Sequence, residues 1–206
     1  MEIAKELDAL FRDKEECQAC TLYDNRQCFI RGAGNHQAKL LFLSSKPSKD
    51  DIAAGLPITE PHKGLIESFL QSLDLSLDDV WVTTTVACGQ EDGKDPKPKQ
   101  YKTCRTWLAK EIHIIQPTII VALGNLAVKS LIPKRPPNFG EVIGRTIDVK
   151  IAGDLIEYTY PAFITYALGY LLRSQDTSPG GLWNKFFNHL KRAFEISNKL
   201  EELRGY

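Results

Sequence analysis

Thr118-Ile119-Ile120-Val121-Ala122-Leu123-Gly124-Asn125 is the stretch that decides the fold. An apolar run this short and this continuous suits a strand buried on both faces, and the glycine that ends it supplies a tight turn. The residues beyond, through Leu131, read as a short helix. Strand, glycine turn and helix in direct succession form the junction typical of a parallel sheet covered by helices.

Outward from this junction the same grammar repeats. Lys39–Ser44 (KLLFLS) is a second buried strand, and Val80–Val86 (VWVTTTV) a β-branched third. Between them, residues 45–64 are rich in Ser, Lys, Asp, Gly and Pro and read as a long loop, after which Leu65, Ile66, Phe69, Leu70 and Leu73 mark a helix face. A polar segment with Gly93, Pro96 and Pro98 leads to a helix from about Gln100 to Ile115, with Cys104, Leu108, Ile112 and Ile115 on its core face and Pro117 beyond its end. Ile3, Leu7, Leu10 and Phe11 recur at helical spacing and predict a surface helix at the start of the chain. Residues 133–145 read as irregular, Thr146–Ile151 and Leu155–Tyr166 as further strands, and Leu182–Leu203 as a closing helix. On that helix Trp183, Phe186, Phe187 and Phe194 are expected in the core, with Lys185, Lys191 and Arg192 facing water. The expected fold class is α/β, a three-layer α/β/α sandwich around a central, mostly parallel sheet, in a single domain over residues 1–206.

With 206 residues, 43% of them hydrophobic, one sizeable core is the natural solution. Lys and Arg number 26, as do Asp and Glu, so the charge of the whole molecule does not draw it onto nucleic acid or an anionic membrane. Any contact with nucleic acid must come from a local basic patch. The opening residues, MEIAKELDALFRDKEE, are charged and amphipathic rather than signal-like, and no later segment is long and apolar enough for a membrane span. A cytoplasmic location is therefore expected, with five cysteines serving metal ligation, redox chemistry or burial rather than disulfides.

Cys17 and Cys20 form a C-x-x-C, while Cys88 follows a strand and Cys104 falls on the next predicted helix. A C-x-x-C sets two sulfurs on one side of a tight turn, and a second pair completes a shell of four thiolates. Zinc and an iron-sulfur cluster both accept such a shell. Cys104 also suits plain burial on an apolar helix face, and Cys28 reads as a core or semi-buried thiol.

CQACTLYDNR, followed by a strand, a glycine-containing loop and a second cysteine pair, resembles the iron-sulfur uracil-DNA glycosylases from about Glu16 to Phe187. Gly55-Leu56-Pro57, Leu123-Gly124-Asn125-Leu126-Ala127 and TYALGYLLR at 165–173 extend the likeness. The resemblance implies the glycosylase α/β fold, a [4Fe-4S] cluster on Cys17, Cys20, Cys88 and Cys104, and DNA as partner. It breaks at the pocket. Where the family opens its first motif with GEAPG this chain has Ser44-Ser45-Lys46-Pro47-Ser48, so Ser45 replaces the acidic residue thought to help activate water. Ile58 stands for the aromatic residue that stacks on uracil, Thr84 for the asparagine that reads its edge, and Ala167-Leu168 for the last motif's His-Pro.

Excision requires flipping the base into a pocket, reading its edge, stabilising the departing anion and supplying a water. Thr84 lacks the paired donor and acceptor of an amide, and Ala167 offers no side-chain donor, a loss that at comparable contacts costs about 10²- to 10³-fold. The leading expectation is a DNA-binding protein of this superfamily, inactive or severely impaired, accessory to replication or repair, with partners such as a DNA polymerase and an association with the nucleoid when DNA-bound. An active glycosylase of altered base choice is the first alternative, with Asp51 or Asp50 orienting a water and Lys46 acting on an abasic product. A cluster-stabilised protein-interaction module is the second. Basic candidates for phosphate contact are Lys97, Lys99 and Lys102, with Lys94 and Arg105, in the segment between the second cysteine pair. Glu91, Asp92 and Asp95 temper that patch; Lys134, Arg135 and Arg173 are further candidates, Arg173 resembling the family's minor-groove loop. His36, His62, His113 and His189 match no catalytic position of the family and read as surface or satisfied side chains.

Overall fold

The computed structural model describes residues 2–90, 93–132, 134–152 and 157–205. In chain order, α1 (Glu2–Glu15) is followed by β1 (Arg26–Phe29), β2 (Ala33–Gly34), β3 (Leu40–Ser44), α2 (Lys49–Ala54) and α3 (His62–Gln71). Then come β4 (Trp81–Thr84), β5 (Cys88–Gln90), α4 (Pro98–Ile115), β6 (Ile119–Leu123), α5 (Asn125–Leu131) and α6 (Phe139–Val142). The chain closes with β7 (Thr146–Ala152), β8 (Glu157–Thr165), α7 (Leu168–Ser174) and α8 (Leu182–Arg204).

Among the described residues the main sheet has six strands in the order β2-β4-β3-β6-β8-β7. The inner pairs β4/β3, β3/β6 and β6/β8 are parallel, whereas both edges, β2 on β4 and β7 on β8, are antiparallel. The buried apolar runs that mark β3 and β6 in the sequence are the two central strands, where successive side chains leave on opposite faces. Leu41 and Leu43 join Ile120 and Ala122 in a core beneath α1, α4 and α5, while Leu40 and Phe42 join Ile119 and Val121 beneath α3, α7 and α8. Helices thus cover both faces, and the three-layer α/β/α sandwich is the observed architecture. Phe42 is fully buried, and its truncation to alanine should cost about 3–5 kcal/mol. On α8, Phe186 is buried and Trp183, Phe187 and Phe194 partly so, while Lys185 and Lys191 are exposed.

Several expectations need correction. The stretch 45–64 is not a continuous loop: it contains α2, started by a reciprocal cap in which Ser48 and Asp51 satisfy each other's backbone N–H groups, and stopped by Gly55 at φ 69°. The segment around Ala167 forms a helix, α7, and residues 139–142 make one further turn. Cys28 and Cys88 belong to a small separate ladder, β1 against β5, that is not among the strands expected from the sequence. Pro133 and residues 155–156, the latter assigned to a strand in the sequence reading, lie outside the described residues.

Candidate functional site

Parallel strands bring their carboxyl ends to one edge of the sheet, and it is there that open α/β sheets offer a crevice. β3 ends at Ser44, β6 at Leu123 and β8 at Thr165, and the residues that follow wall a cavity of about 390 Å³. Ser45, Lys46, Asp51, Ile58, His62, Asn125, Ala167, Tyr170 and Arg173 all contribute to its lining. Three of the four altered positions, Ser45, Ile58 and Ala167, are therefore brought together. The fourth, Thr84, is not part of the lining and is buried at the end of β4.

The polar groups of this cavity are largely committed. Ser45 Oγ donates to Leu123 O at 3.2 Å, and Thr84 Oγ1 donates to Val86 O at 2.8 Å. Asp51 is 4% exposed and both its oxygens are engaged: Oδ2 accepts from Ser48 N at 2.8 Å and Oδ1 from Thr59 Oγ1 at 2.7 Å. That is the work of a helix cap rather than of a poised base. Lys46 pairs with Asp95 at 3.4 Å and donates to Gly93 O. Ile58 packs into the apolar core beneath α3 and α8.

His62, the first residue of α3, lines the cavity although no motif singled it out. Burial pushes its imidazole below the ordinary histidine value, against the opposing pull of Asp51 and Asp50, with Arg173 adding to the lowering. A Cβ placed on Gly169 would lie 3.3 Å from Arg173 Nη1 and 3.5 Å from His62 Nε2, so both side chains reach over that glycine. In the sequence it falls within the loop expected after Gly55-Leu56-Pro57, ahead of the helix face that opens at Leu65, and nothing there signals it. The other three histidines sit against aromatic rings: His36 on Trp81, His113 on Tyr158 and His189 on Tyr166.

Cys17, Cys20, Cys88 and Cys104 line a second, much smaller cavity, together with Lys14, Leu22, Tyr23, Phe29 and Trp107. Cys17 follows α1, Cys88 opens β5 and Cys104 lies on α4, so the cavity ties three distant parts of the chain. Trp107 Nε1 donates to Cys17 Sγ at 3.3 Å. The Cys88 thiol is pushed up to about 11, mainly by burial, with Cys104 adding and Arg26 opposing. Burial likewise raises Cys104, and Lys14 opposes it. Cys28 stands apart, its Sγ donating to Ile52 O at 3.5 Å, in keeping with a semi-buried thiol. Among the described residues no three His, Cys, Asp or Glu side chains are close enough to hold a single metal ion, which leaves zinc without support.

Lys97, Lys99 and Lys102 are exposed around the start of α4, and Arg173 is exposed on the rim of the larger cavity. Arg105 is instead a strut, donating to Leu131 O at 3.3 Å and to Lys150 O at 2.7 Å. Glu91 and Asp92 lie outside the described residues, and among those described no helix is long and apolar enough to cross a membrane.

A family model described as the uracil DNA glycosylase superfamily matches residues 31–194. The chain is similar to a type-4 uracil-DNA glycosylase of Archaeoglobus fulgidus, 26% identical over 166 residues that cover 78% of this chain and 83% of the relative. The type-4 uracil-DNA glycosylase of Thermotoga maritima is 26% identical over 150 residues, 73% of this chain and 78% of the relative. That of Saccharolobus solfataricus is 28% identical over 164 residues, 78% of this chain and 74% of the relative.

Proposed function

This chain belongs to the uracil DNA glycosylase superfamily, and on that footing we propose that it is a DNA-binding member whose excision of uracil is lost or severely reduced, accessory to replication or repair. One observation carries the reading. The two hydroxyls that stand where the resemblance expects a water-activating acid and a base-reading amide are both spent on main-chain carbonyls, Ser45 on Leu123 and Thr84 on Val86. Ala167 adds no donor, and Asp51 is consumed by its cap. Without groups that strengthen their hold as charge develops on the departing base, the pocket has little with which to lower the barrier. Arg173, exposed on the cavity rim, is suited to phosphate, which positions DNA without demanding chemistry.

The same likeness implies a [4Fe-4S] cluster, for which Cys17, Cys20, Cys88 and Cys104 would be the ligands. The residues fit it. Four thiols line one cavity, an indole N–H already points at one sulfur, and the Arg26 guanidinium stands beside Cys88, where its positive charge favours the thiolate. A polynuclear centre also holds its thiolates farther apart than one ion does. When bound, the cluster supplies an inorganic cross-link between the N-terminal segment, β5 and α4.

The test is a single-turnover excision assay on oligonucleotides carrying uracil and other damaged bases, run beside a binding titration on the same DNA. Binding that weakens with salt, with no abasic product from uracil, is expected. Rapid removal of uracil would overturn the proposal, as would absence of binding at low salt. Iron and sulfide analysis of anaerobically purified protein tests the cluster. A second reading, an active glycosylase of altered base choice, is favoured by His62, a titratable group on the cavity wall. Excision of another base that disappears in His62→Ala would replace the first reading with this one.

A further inference from the structure

Lys14, at the end of α1, is 3% exposed, and its partner Glu111, in the body of α4, is fully buried. Lys14 Nζ donates to Glu111 Oε2 at 3.1 Å, and Trp81 Nε1 donates to Glu111 Oε1 at 3.0 Å. Gly32 closes the remaining side of the carboxylate, since any Cβ there would collide with Oε1 and the Trp81 ring. The carboxylate, carried on α4, is held by Lys14 from α1 and by Trp81 from β4 and is closed off by Gly32 just before β2, and Lys14 lines the cysteine cavity, which Glu111 itself does not. Phe11 and Phe29, each with its ring centroid 5.8 Å from Nζ, exclude water from the ammonium.

A buried ion pair is a poor stabilising device: desolvation offsets most of its Coulomb gain, and an apolar pair of similar volume would do as well or better. Its orientation makes sense if something anionic occupies the cavity. Four thiolates around an iron-sulfur core are a dianion in a low dielectric, and nearby charge is one of the levers on the reduction potential of such a centre. The geometry points to Lys14, locked by Glu111 and Trp81, as the counter-charge of the cysteine-held cluster, stabilising its electron-rich form and slowing its loss. Lys14 is a positioning and tuning residue, not a ligand, and the inference rests on Cys17, Cys20, Cys88 and Cys104 being the ligands.

The experiment uses the full chain purified without oxygen, as wild type, Lys14→Arg, and the double variant Lys14→Met with Glu111→Gln. The double variant removes both charges while keeping an acceptor for Trp81, so no carboxylate is left buried and unpaired. Each is measured for iron and sulfide per chain, rate of cluster loss to a chelator, and midpoint potential, with circular dichroism to verify folding. Wild type and Lys14→Arg should match. The double variant should lose its cluster about tenfold faster and show a more negative potential, by about the 59 mV that corresponds to tenfold in a one-electron equilibrium. A folded double variant with unchanged potential and loss rate overturns the role of Lys14 while leaving the ligands intact. A wild type without iron and sulfide overturns the ligand assignment itself. If the double variant fails to fold, Lys14→Arg with Glu111→Gln, which keeps the cation alone, must shift the potential in the opposite direction.

Discussion

Gly124 and Ala167 face each other across the ends of two neighbouring parallel strands, so closely that a Cβ on Gly124 would stand 2.6 Å from that of Ala167. Gly124 N donates to Thr165 O at 2.9 Å, which clamps the two strand ends together at the floor of the larger cavity.

Gly124 has φ 91° and ψ 174°, a conformation open essentially to glycine alone. Gly124→Ala therefore combines backbone strain with a steric collision and should cost about 1–3 kcal/mol. Urea unfolding monitored by circular dichroism checks this. A loss below about 0.5 kcal/mol, ordinary for a surface change, would show that the clamp is not tight.

Asp51 serves the start of α2 through Ser48 N and supports Thr59. Asp51→Ala should lower stability by about 0.5–2 kcal/mol, the range for a lost cap. DNA affinity and any residual excision should stay at the wild-type level. Excision detectable in wild type and absent in a folded Asp51→Asn variant would instead identify this carboxylate as a base.

Arg173 is exposed on the cavity rim beside Gly169 and suits one phosphate. Arg173→Ala should weaken DNA binding similarly across sequences and reduce the salt slope by about one. Lys97→Ala, Lys99→Ala and Lys102→Ala, combined, test the edge formed by α4. Titrations at several salt concentrations separate the two surfaces, and an unchanged slope in both sets would place the DNA elsewhere.

His189 is half-buried beside β8, with Nδ1 3.0 Å from Thr165 Oγ1 and its ring stacked on Tyr166. Burial lowers its pKa from the ordinary 6.5, and Arg192 lowers it further. The unfolded chain thus binds a proton there before the folded one does, so the contribution of His189 is complete above pH 6.5 and is lost as pH falls below it toward the depressed folded value. His62, lowered chiefly by burial, acts in the same direction. Unfolding midpoints measured across this interval should fall on acidification, and His189→Gln should flatten the dependence. A midpoint that rises on acidification would contradict the assignment.

Much of this protein was legible in one dimension because its information is local. A run such as Ile119–Leu123 has little choice but to be a strand covered on both sides, and the apolar faces of α3, α4 and α8 repeat at the helical period whatever lies opposite. The altered pocket positions Ser45, Ile58 and Ala167 were likewise readable as residue types, and the sheet edge gathers them. Elements whose signal is a single reciprocal cap, such as α2, or whose stability comes from packing, such as α7, left too little periodicity to be seen.

Only the tertiary structure decided what each polar group has left to offer. Asp51 and Ser45 are plausible actors as letters, but their partners, Thr59 and the Leu123 carbonyl, are assigned by how strands and loops meet. His62 reaches the cavity, and Lys14 the cysteines, by the same route: a side chain's chemistry is set by its sequence position, whereas its solvation and its free hydrogen bonds are set by neighbours far along the chain.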